Sequence, residues 1–225
     1  MSVLKLSTHG YRLIELYSQM VSEGFERTDG NRVKPVDVYN AFQLQKFRNV
    51  VKNQISNEKI NTVLDYGGGG SNWDAVGFEP STGETAKQFF GITDVTTFEP
   101  ARGLMKKERL DCVICVDVLE HIFLADIANL VSELFSLAKY LLVINVACYK
   151  AAALLPNGEN AHITVRSPDW WKGVIDITAS KFGDVEVILI CSTGFIEGVV
   201  YEPFKSNDWH KSEKFSIDSV FRPFK

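Results

Sequence analysis

A run of four consecutive glycines, residues 67–70, constrains this 225-residue chain more than any other feature. It follows a short apolar run that includes Val63 and Leu64 and is closed by an acid, Asp65. Each glycine costs about 0.5–1 kcal/mol of backbone entropy relative to alanine, but backbone without Cβ atoms can turn sharply and approach a ligand closely. A buried strand, an acid at its carboxyl end and a glycine turn predict the nucleotide crevice of an open α/β sheet. An ordinary tight turn is the alternative.

The remaining hydrophobic patterns predict alternating strands and helices. We expect strands at residues 60–66, 93–98, 110–118, 140–147, 185–191 and 198–201, and helices at 81–90, 123–138 and 168–181. This alternation predicts an α/β fold with a doubly wound, mainly parallel sheet. Right-handed crossovers place the carboxyl ends of parallel strands on one edge, where ligands bind. The residues at such ends are Asp65, Gly67, Glu99, Asp117 and Asn145.

Two regions are predicted along the chain. Residues 1–57 contain two helical patterns, the first ending near Gly24 and the second running from about residue 36 to residue 56, with a polar loop at 26–35 between them. We interpret them as an N-terminal helical cap that packs on the sheet and partly covers the ligand. Residues 58–225 then form the ligand-binding domain.

Composition narrows the classes of partner. The formal net charge of −4 provides no basic footprint for nucleic acid. The longest strongly apolar run, residues 140–149, is too short to cross a bilayer, and the first twenty residues lack a secretory pattern. We therefore expect a cytoplasmic protein without membrane or nucleic-acid partners, and a homodimer is retained as one option for its assembly. The four cysteines lie in apolar strands, Cys112 and Cys115 on opposite faces, so no metal site is predicted.

Three sequence segments carry a resemblance to a known family. VLDYGGGG at 63–70, the acid Glu99 and LDCVICVDVLEHI at 110–122 resemble the class I S-adenosylmethionine-dependent methyltransferases. The resemblance covers about residues 45–192. ALLPNGENAHIT at 153–164, followed by two tryptophans, resembles a subgroup of bacterial methyltransferases that is often associated with surface-glycan or small-molecule biosynthesis. The resemblance to this family implies a Rossmann-like methyltransferase fold with S-adenosylmethionine as the cofactor.

Positions in the motif then suggest roles. Gly67 and Gly69 would lie against the methionine part and ribose of the donor, and Asp65 would orient its ammonium group. Glu99 would accept hydrogen bonds from both ribose hydroxyls. Asp117 would lie near the transferred methyl and would polarise the acceptor or hold a water. Only eleven residues separate Glu99 from Asp111, so we expect a sheet that lacks one edge strand. Leu104 and Met105 are weak candidates for the adenine pocket.

The acceptor side of the site is predicted from the loop after residue 147. His162 is the first candidate for a general base, with a structural loop histidine as the alternative, and His121 and Asp117 are further catalytic candidates. The candidate substrate-binding residues are polar or aromatic: Asn145, Asn157, Asn160, Arg166 and Trp170. Together they predict transfer of a methyl group to a small polar acceptor such as a sugar or a nucleotide sugar.

Two other functions are weighed against this one. A non-catalytic protein that binds S-adenosylmethionine, or that binds a partner, would keep the fold without the chemistry. An NAD(P)-binding Rossmann protein would place an acid about 20 residues after the glycines. Glu99 is 29 residues beyond Gly70, which disfavours the NAD(P)-binding hypothesis.

Overall fold

The structure is a computed structural model that describes residues 5–57, 59–204 and 212–216. These residues form an α/β fold with one large, mostly parallel sheet, compatible with a Rossmann-like fold. The helices are α1 Thr8–Glu23, α2 Arg48–Ile55, α3 Ala86–Phe90, α4 Ile127–Leu137 and α5 Pro168–Ala179. The strands are β1 Phe25–Glu26, β2 Arg32–Val33, β3 Thr62–Tyr66, β4 Asp94–Phe98, β5 Leu110–Val116, β6 Ala138–Ala147, β7 Glu186–Ser192, β8 Glu197–Phe204 and β9 Ser212–Ser216.

The large sheet has the strand order β4-β3-β5-β6-β7-β8-β9. Strands β3 to β7 are parallel to one another, and β8 pairs antiparallel with both β7 and β9. Strand β4 lies at one edge. The described residues 99–109 contain a short 3-10 helix, Pro100–Arg102, and no further strand. The sheet therefore ends at β4, as the short spacing between Glu99 and Asp111 indicates.

Helices pack on both faces of this sheet, which explains the nearly continuous apolar strands. Leu64, Val113 and Leu142 lie side by side in register and face α4 and α5. Their chain neighbours point to the other face because side chains alternate along a strand, and there they meet α2 and α3. Cys112 and Cys115 fall on opposite faces, as the strand period predicts.

The N-terminal region differs from its prediction. Instead of one helix over residues 36–56, the structure has 3-10 helices at Pro35–Asp37 and Gln43–Phe47 and then the short α2. Tyr39 has a φ of 53°, and this left-handed backbone interrupts the helical path. The polar loop predicted at 26–35 contains the small antiparallel pair β1 and β2.

Local hydrogen bonds set other boundaries. The helix predicted from residue 81 begins only at Ala86, because Thr85 and Gln88 form a capping box at its start. The helix predicted from residue 123 begins with a 3-10 turn, Leu124–Asp126, before α4. Strand β9 adds a strand that the sequence patterns did not predict. Among the described residues, no helix has the length and apolar character to span a membrane.

Candidate functional site

A cavity of about 420 Å³ lies at the carboxyl ends of β3, β4 and β5. Its size is that of a small-molecule site. Residues of α1 and of the segment 39–46 form part of its wall. Seven predicted site residues line it: Asp65, Gly67, Gly69, Glu99, Asp117, His121 and His162. The parallel strands thus bring together groups that are up to 97 positions apart in the chain.

The turn after β3 requires glycine for steric reasons. Gly67 has a φ of 73°, and a Cβ there would lie 2.5 Å from Cγ2 of Val118. A Cβ at Gly68 would lie 2.4 Å from Oδ2 of Asp65. The N–H of Gly67 donates to the carbonyl of Phe98, 2.7 Å away, which ties the turn to the end of β4. The glycines therefore allow the turn to fold tightly against its own strand and its neighbours.

Asp65 is a buried carboxyl group beneath this turn, with 5% of its surface exposed. The indole N–H of Trp73 donates to its Oδ2 at 2.9 Å. Burial raises the pKa of Asp65 to about 6, although the hydrogen bond from Trp73 opposes this shift. The sequence patterns did not identify Trp73 as part of the site.

Glu99 faces the glycine turn from the end of β4. Its Oε2 accepts from the N–H of Gly69 at 2.9 Å, and its Oε1 accepts from the N–H of Ala101 at 3.0 Å. Burial nevertheless raises the pKa of Glu99. Each carboxylate oxygen keeps further lone-pair capacity beyond these single bonds, so the group can still accept hydrogen bonds from a ligand.

The segment around Tyr39 covers the other side of the turn. The N–H of Gly70 donates to the carbonyl of Tyr39 at 2.9 Å, and Arg102 donates to the carbonyl of Val38 at 2.6 Å. Lys46 also lines the cavity, with its Nζ 4.5 Å from the ring centre of Phe195. Burial lowers the pKa of Lys46, while the nearby acids Asp117 and Glu120 oppose that effect. Sequence analysis did not identify Tyr39, Lys46 or Phe195 as lining residues.

Asp117 lies just beyond β5 in an unusual backbone conformation. Its φ is 61°, and its N–H donates to the carbonyl of Asn145 at 3.2 Å. Aspartate tolerates this left-handed region better than most residues other than glycine, and such conformations cluster at functional sites. The backbone here turns the acid into the cavity.

Four ionisable side chains meet at one side of the cavity, and three of them belong to its lining. One potential ligand atom from each lies within 4.8 Å of the others, and we call the group the acid–histidine cluster: Asp117, Glu120, His121 and His162. Glu120, which sequence analysis missed, is fully buried, and its Oε1 accepts from the N–H of Ala147 at 2.7 Å. Burial, followed by the charge of Asp117, raises the pKa of Glu120 well above its ordinary value.

The two histidines are oriented by backbone carbonyls. Nδ1 of His121 lies 2.9 Å from the carbonyl oxygen of Ala161, and Nδ1 of His162 bonds the carbonyl of Tyr149. Because a carbonyl oxygen only accepts, each Nδ1 is assigned the proton, which leaves each Nε2 with a free lone pair in the neutral ring. Burial lowers the pKa of His121 to about 4, and the neighbouring His162 contributes. His121 is therefore neutral at pH 7.

Tyr17 supports this arrangement from α1. Its hydroxyl donates to the carbonyl of Ala161 at 2.7 Å and lies 3.1 Å from Nδ1 of His121. Burial raises the pKa of Tyr17 well above its ordinary value, so its hydroxyl keeps its proton. The N-terminal helix thus helps to hold the histidine.

The predicted substrate-binding residues lie outside the cavity lining. Asn145 is buried within the sheet, where its Nδ2 donates to Ile190 and Ser192 of β7. The Asn160 side chain accepts a hydrogen bond from the N–H of Ala151 and donates one to the carbonyl of Ala151. Oδ1 of Asn160 also accepts from the N–H of His162 at 3.1 Å. These two amides therefore organise the sheet and the loop, and Asn160 positions the candidate base.

The other three residues of that set also bond locally. Asn157 donates to Glu159 within its own exposed turn. Arg166 lies over the ring of Trp170, 5.7 Å from its centre, and that ring packs edge-to-face on the buried Trp171. Asn157 thus stabilises its own turn and Arg166 packs on the first turn of α5, and none of the three side chains lines the cavity.

The site combines a glycine turn, a carboxylate that faces it, and nearby groups that can accept a proton. Such a set can bind a polar ligand that offers hydroxyl groups to the Glu99 carboxylate. No family model, curated protein or solved structure matches the chain. The functional assignment therefore rests on the geometry of the site.

Proposed function

We propose that this protein is an S-adenosylmethionine-dependent methyltransferase that acts on a small polar acceptor such as a sugar or a nucleotide sugar. The observation that carries the proposal is the pairing of Glu99 with the N–H of Gly69 at the mouth of a cavity of about 420 Å³. The proposal includes a Rossmann-like methyltransferase fold with a doubly wound sheet. Residues 1–57 would form its N-terminal cap.

The residues present fit the donor. Glu99 would accept hydrogen bonds from the ribose hydroxyls through its remaining lone pairs, and the turn at Gly67 and Gly69 would lie along the ribose and methionine part. Asp65, buried and close to the turn, would attract the donor's ammonium group directly or through water. When bound, the donor supplies a methyl group already activated on a sulfonium.

The chain itself would mainly align the acceptor and take its proton. Orientation of two reactants can contribute up to about 7–11 kcal/mol of barrier lowering, and a general base about 10²–10⁴-fold in rate. During the transfer, Nε2 of His162 would accept the proton of the acceptor hydroxyl. His121 and Asp117 would hold the acceptor and stabilise the positive charge that develops on the His162 ring.

Donor binding is the first experiment. S-adenosylmethionine at a hundred times its Kd would stabilise the folded chain by about 2.7 kcal/mol, which corresponds to a rise of about 5–11 °C in melting temperature for a protein of this size. Glu99→Ala and Asp65→Ala should each abolish the rise, compared with that variant's own ligand-free melting temperature. No binding to the unmodified protein at millimolar donor would refute the proposal at its first step.

Activity then separates catalysis from binding. With sugar and nucleotide-sugar acceptors, we expect a methylated product whose formation depends on the donor. Donor binding without product from any acceptor would favour the non-catalytic alternative. For His162→Ala, we expect a loss of about 10²–10⁴-fold in rate and of the acidic limb of the pH–rate profile, where a general base becomes protonated. An unchanged rate and profile would remove His162 from the mechanism.

A further inference from the structure

The acid–histidine cluster has a composition that proton transfer alone does not require. It joins two carboxyl groups and two imidazoles from the end of β5 and from the loop after β6. We propose that this cluster binds one divalent ion of the first transition row, such as Zn(II) or Fe(II), in the wall of the cavity. This site goes beyond the donor and base roles described above.

The spacing of the four groups suits one ion. Nitrogen and oxygen ligands lie roughly 2.0–2.2 Å from a bound Zn(II), so two ligands on opposite sides of an ion are at most about 4.4 Å apart. The potential ligand atoms of the cluster all lie within 4.8 Å of one another. The four groups are therefore close enough to reach a single ion if their side chains move toward one another when it binds.

The histidines are oriented as metal ligands usually are. Ligating histidines almost always donate their second ring N–H to a carbonyl or a carboxylate, which fixes the tautomer and the ring direction. His121 bonds the carbonyl of Ala161 through Nδ1, and His162 bonds that of Tyr149 in the same way. The two rings lie edge to face, with centres 4.9 Å apart. Both Nε2 lone pairs are thus available without any change of tautomer.

Glu120 supplies an independent observation. This side chain has no exposed surface, and its Oε2 has no hydrogen-bond partner among the described residues. A buried carboxyl oxygen without a partner is costly, and a bound ion would satisfy it, as would a buried water or a proton shared with Asp117. Asp117 lies beside it in a left-handed backbone conformation. A cation would satisfy the orphan oxygen and offset the repulsion between the two acids.

The ligand set also selects the class of ion. Imidazole nitrogens suit zinc, iron, copper and nickel, whereas sites for Mg(II) and Ca(II) use oxygen ligands. An ion that takes more than four ligands would keep positions for oxygen atoms of an acceptor. In that state His162 would be a ligand rather than a base, and the ion's charge would make the acceptor hydroxyl more acidic. This role, unlike the site itself, rests on the proposed methyltransferase function.

Titration of the metal-free full chain with Co(II), followed by visible absorption, tests the site without any donor or acceptor. We expect saturation at one equivalent and displacement of Co(II) by Zn(II). His162→Ala and Glu120→Gln should each weaken Co(II) binding by at least about 10-fold, the smallest loss usual for groups around a metal. His9→Ala removes an exposed imidazole that is absent from the cavity lining and should leave binding unchanged.

Two results would overturn the proposal. One is the absence of a saturable Co(II) site up to millimolar metal; the other is wild-type affinity in both cluster variants. Thermal unfolding checks that each variant is folded, and His162→Ala, in a loop, carries the test if Glu120→Gln does not fold. Calorimetry with S-adenosylmethionine runs separately. Binding of the donor without binding of Co(II) would refute only the metal site. Binding of Co(II) without binding of the donor would refute only the proposed function.

Discussion

Replacing Gly68 by alanine tests whether the glycine turn is built around a buried acid. A Cβ at Gly68 would lie 2.4 Å from Oδ2 and 2.6 Å from Cγ of Asp65. That carboxyl group cannot easily retreat, because it is buried and bonded to the indole of Trp73 at 2.9 Å. Since Gly68 does not have a positive φ, the expected effect comes from this steric conflict and not from backbone strain.

The magnitude follows from two losses and one gain. Overpacking costs about 1–3 kcal/mol, and loss of a hydrogen bond to a charged group costs about 1.5–3 kcal/mol. Alanine regains about 0.5–1 kcal/mol of backbone entropy. The net expectation is a destabilisation of about 1.5–5.5 kcal/mol for Gly68→Ala. Donor binding should weaken as well, because the same collision displaces the turn.

Urea unfolding followed by circular dichroism provides the assay. Gly173→Ala is the matched control, since Gly173 lies within α5 and a Cβ there meets nothing within 4 Å. This control should stabilise the protein by about 0.5–1 kcal/mol. If the packing is as described, the two substitutions change the free energy of unfolding in opposite directions. Equal stability of Gly68→Ala and the wild type, or a gain like that of the control, would refute the reasoning.

Three further outcomes are expected. Because burial raises the pKa of Asp65 from 3.8 to about 6, the folded state binds more protons than the unfolded state between these values, and this group's contribution to stability falls as pH rises. The whole change in pKa corresponds to about 3 kcal/mol, so between pH 4 and pH 7 the stability of Asp65→Asn relative to the wild type should rise by about 2–3 kcal/mol in urea unfolding. Parallel pH curves would contradict this. Cys148 is half-buried, and a hydrogen bond with Cys191 lowers its thiol pKa, so Ellman's reagent should modify Cys148 before the three buried thiols. Equal rates for all four would exclude this. Thr85→Ala should lose about 1 kcal/mol by removing the capping box at the start of α3, and unchanged unfolding would show that the cap contributes nothing.

The central part of the site could be predicted because strand period and parallel pairing are strong constraints. Asp65 and Glu99 both end apolar runs, and the parallel pairing of β3 with β4 brings those ends together. The Cys112–Cys115 alternation follows from the same period. Neither inference needs the orientation of any loop side chain, which is why the sequence was sufficient.

Loop side chains could not be predicted because their partners are distant or local backbone groups. Asn160 looked like a ligand for a polar substrate, yet it bonds Ala151 and the backbone of His162. Tyr17 reaches His121 across 104 positions of the chain, a contact that no local pattern encodes. Glu120 lies in a short 3-10 turn, where periodicity gives no indication of which side chain is buried.

A crystal structure with S-adenosylhomocysteine, the spent donor, tests the central claim most directly. The account predicts density in the cavity at the carboxyl ends of β3 and β4, with both ribose hydroxyls within hydrogen-bond distance of the Glu99 carboxylate. The sulfur should lie nearer to Asp117 than to Glu99. Density elsewhere on the protein, or a ribose without contact to Glu99, would contradict it.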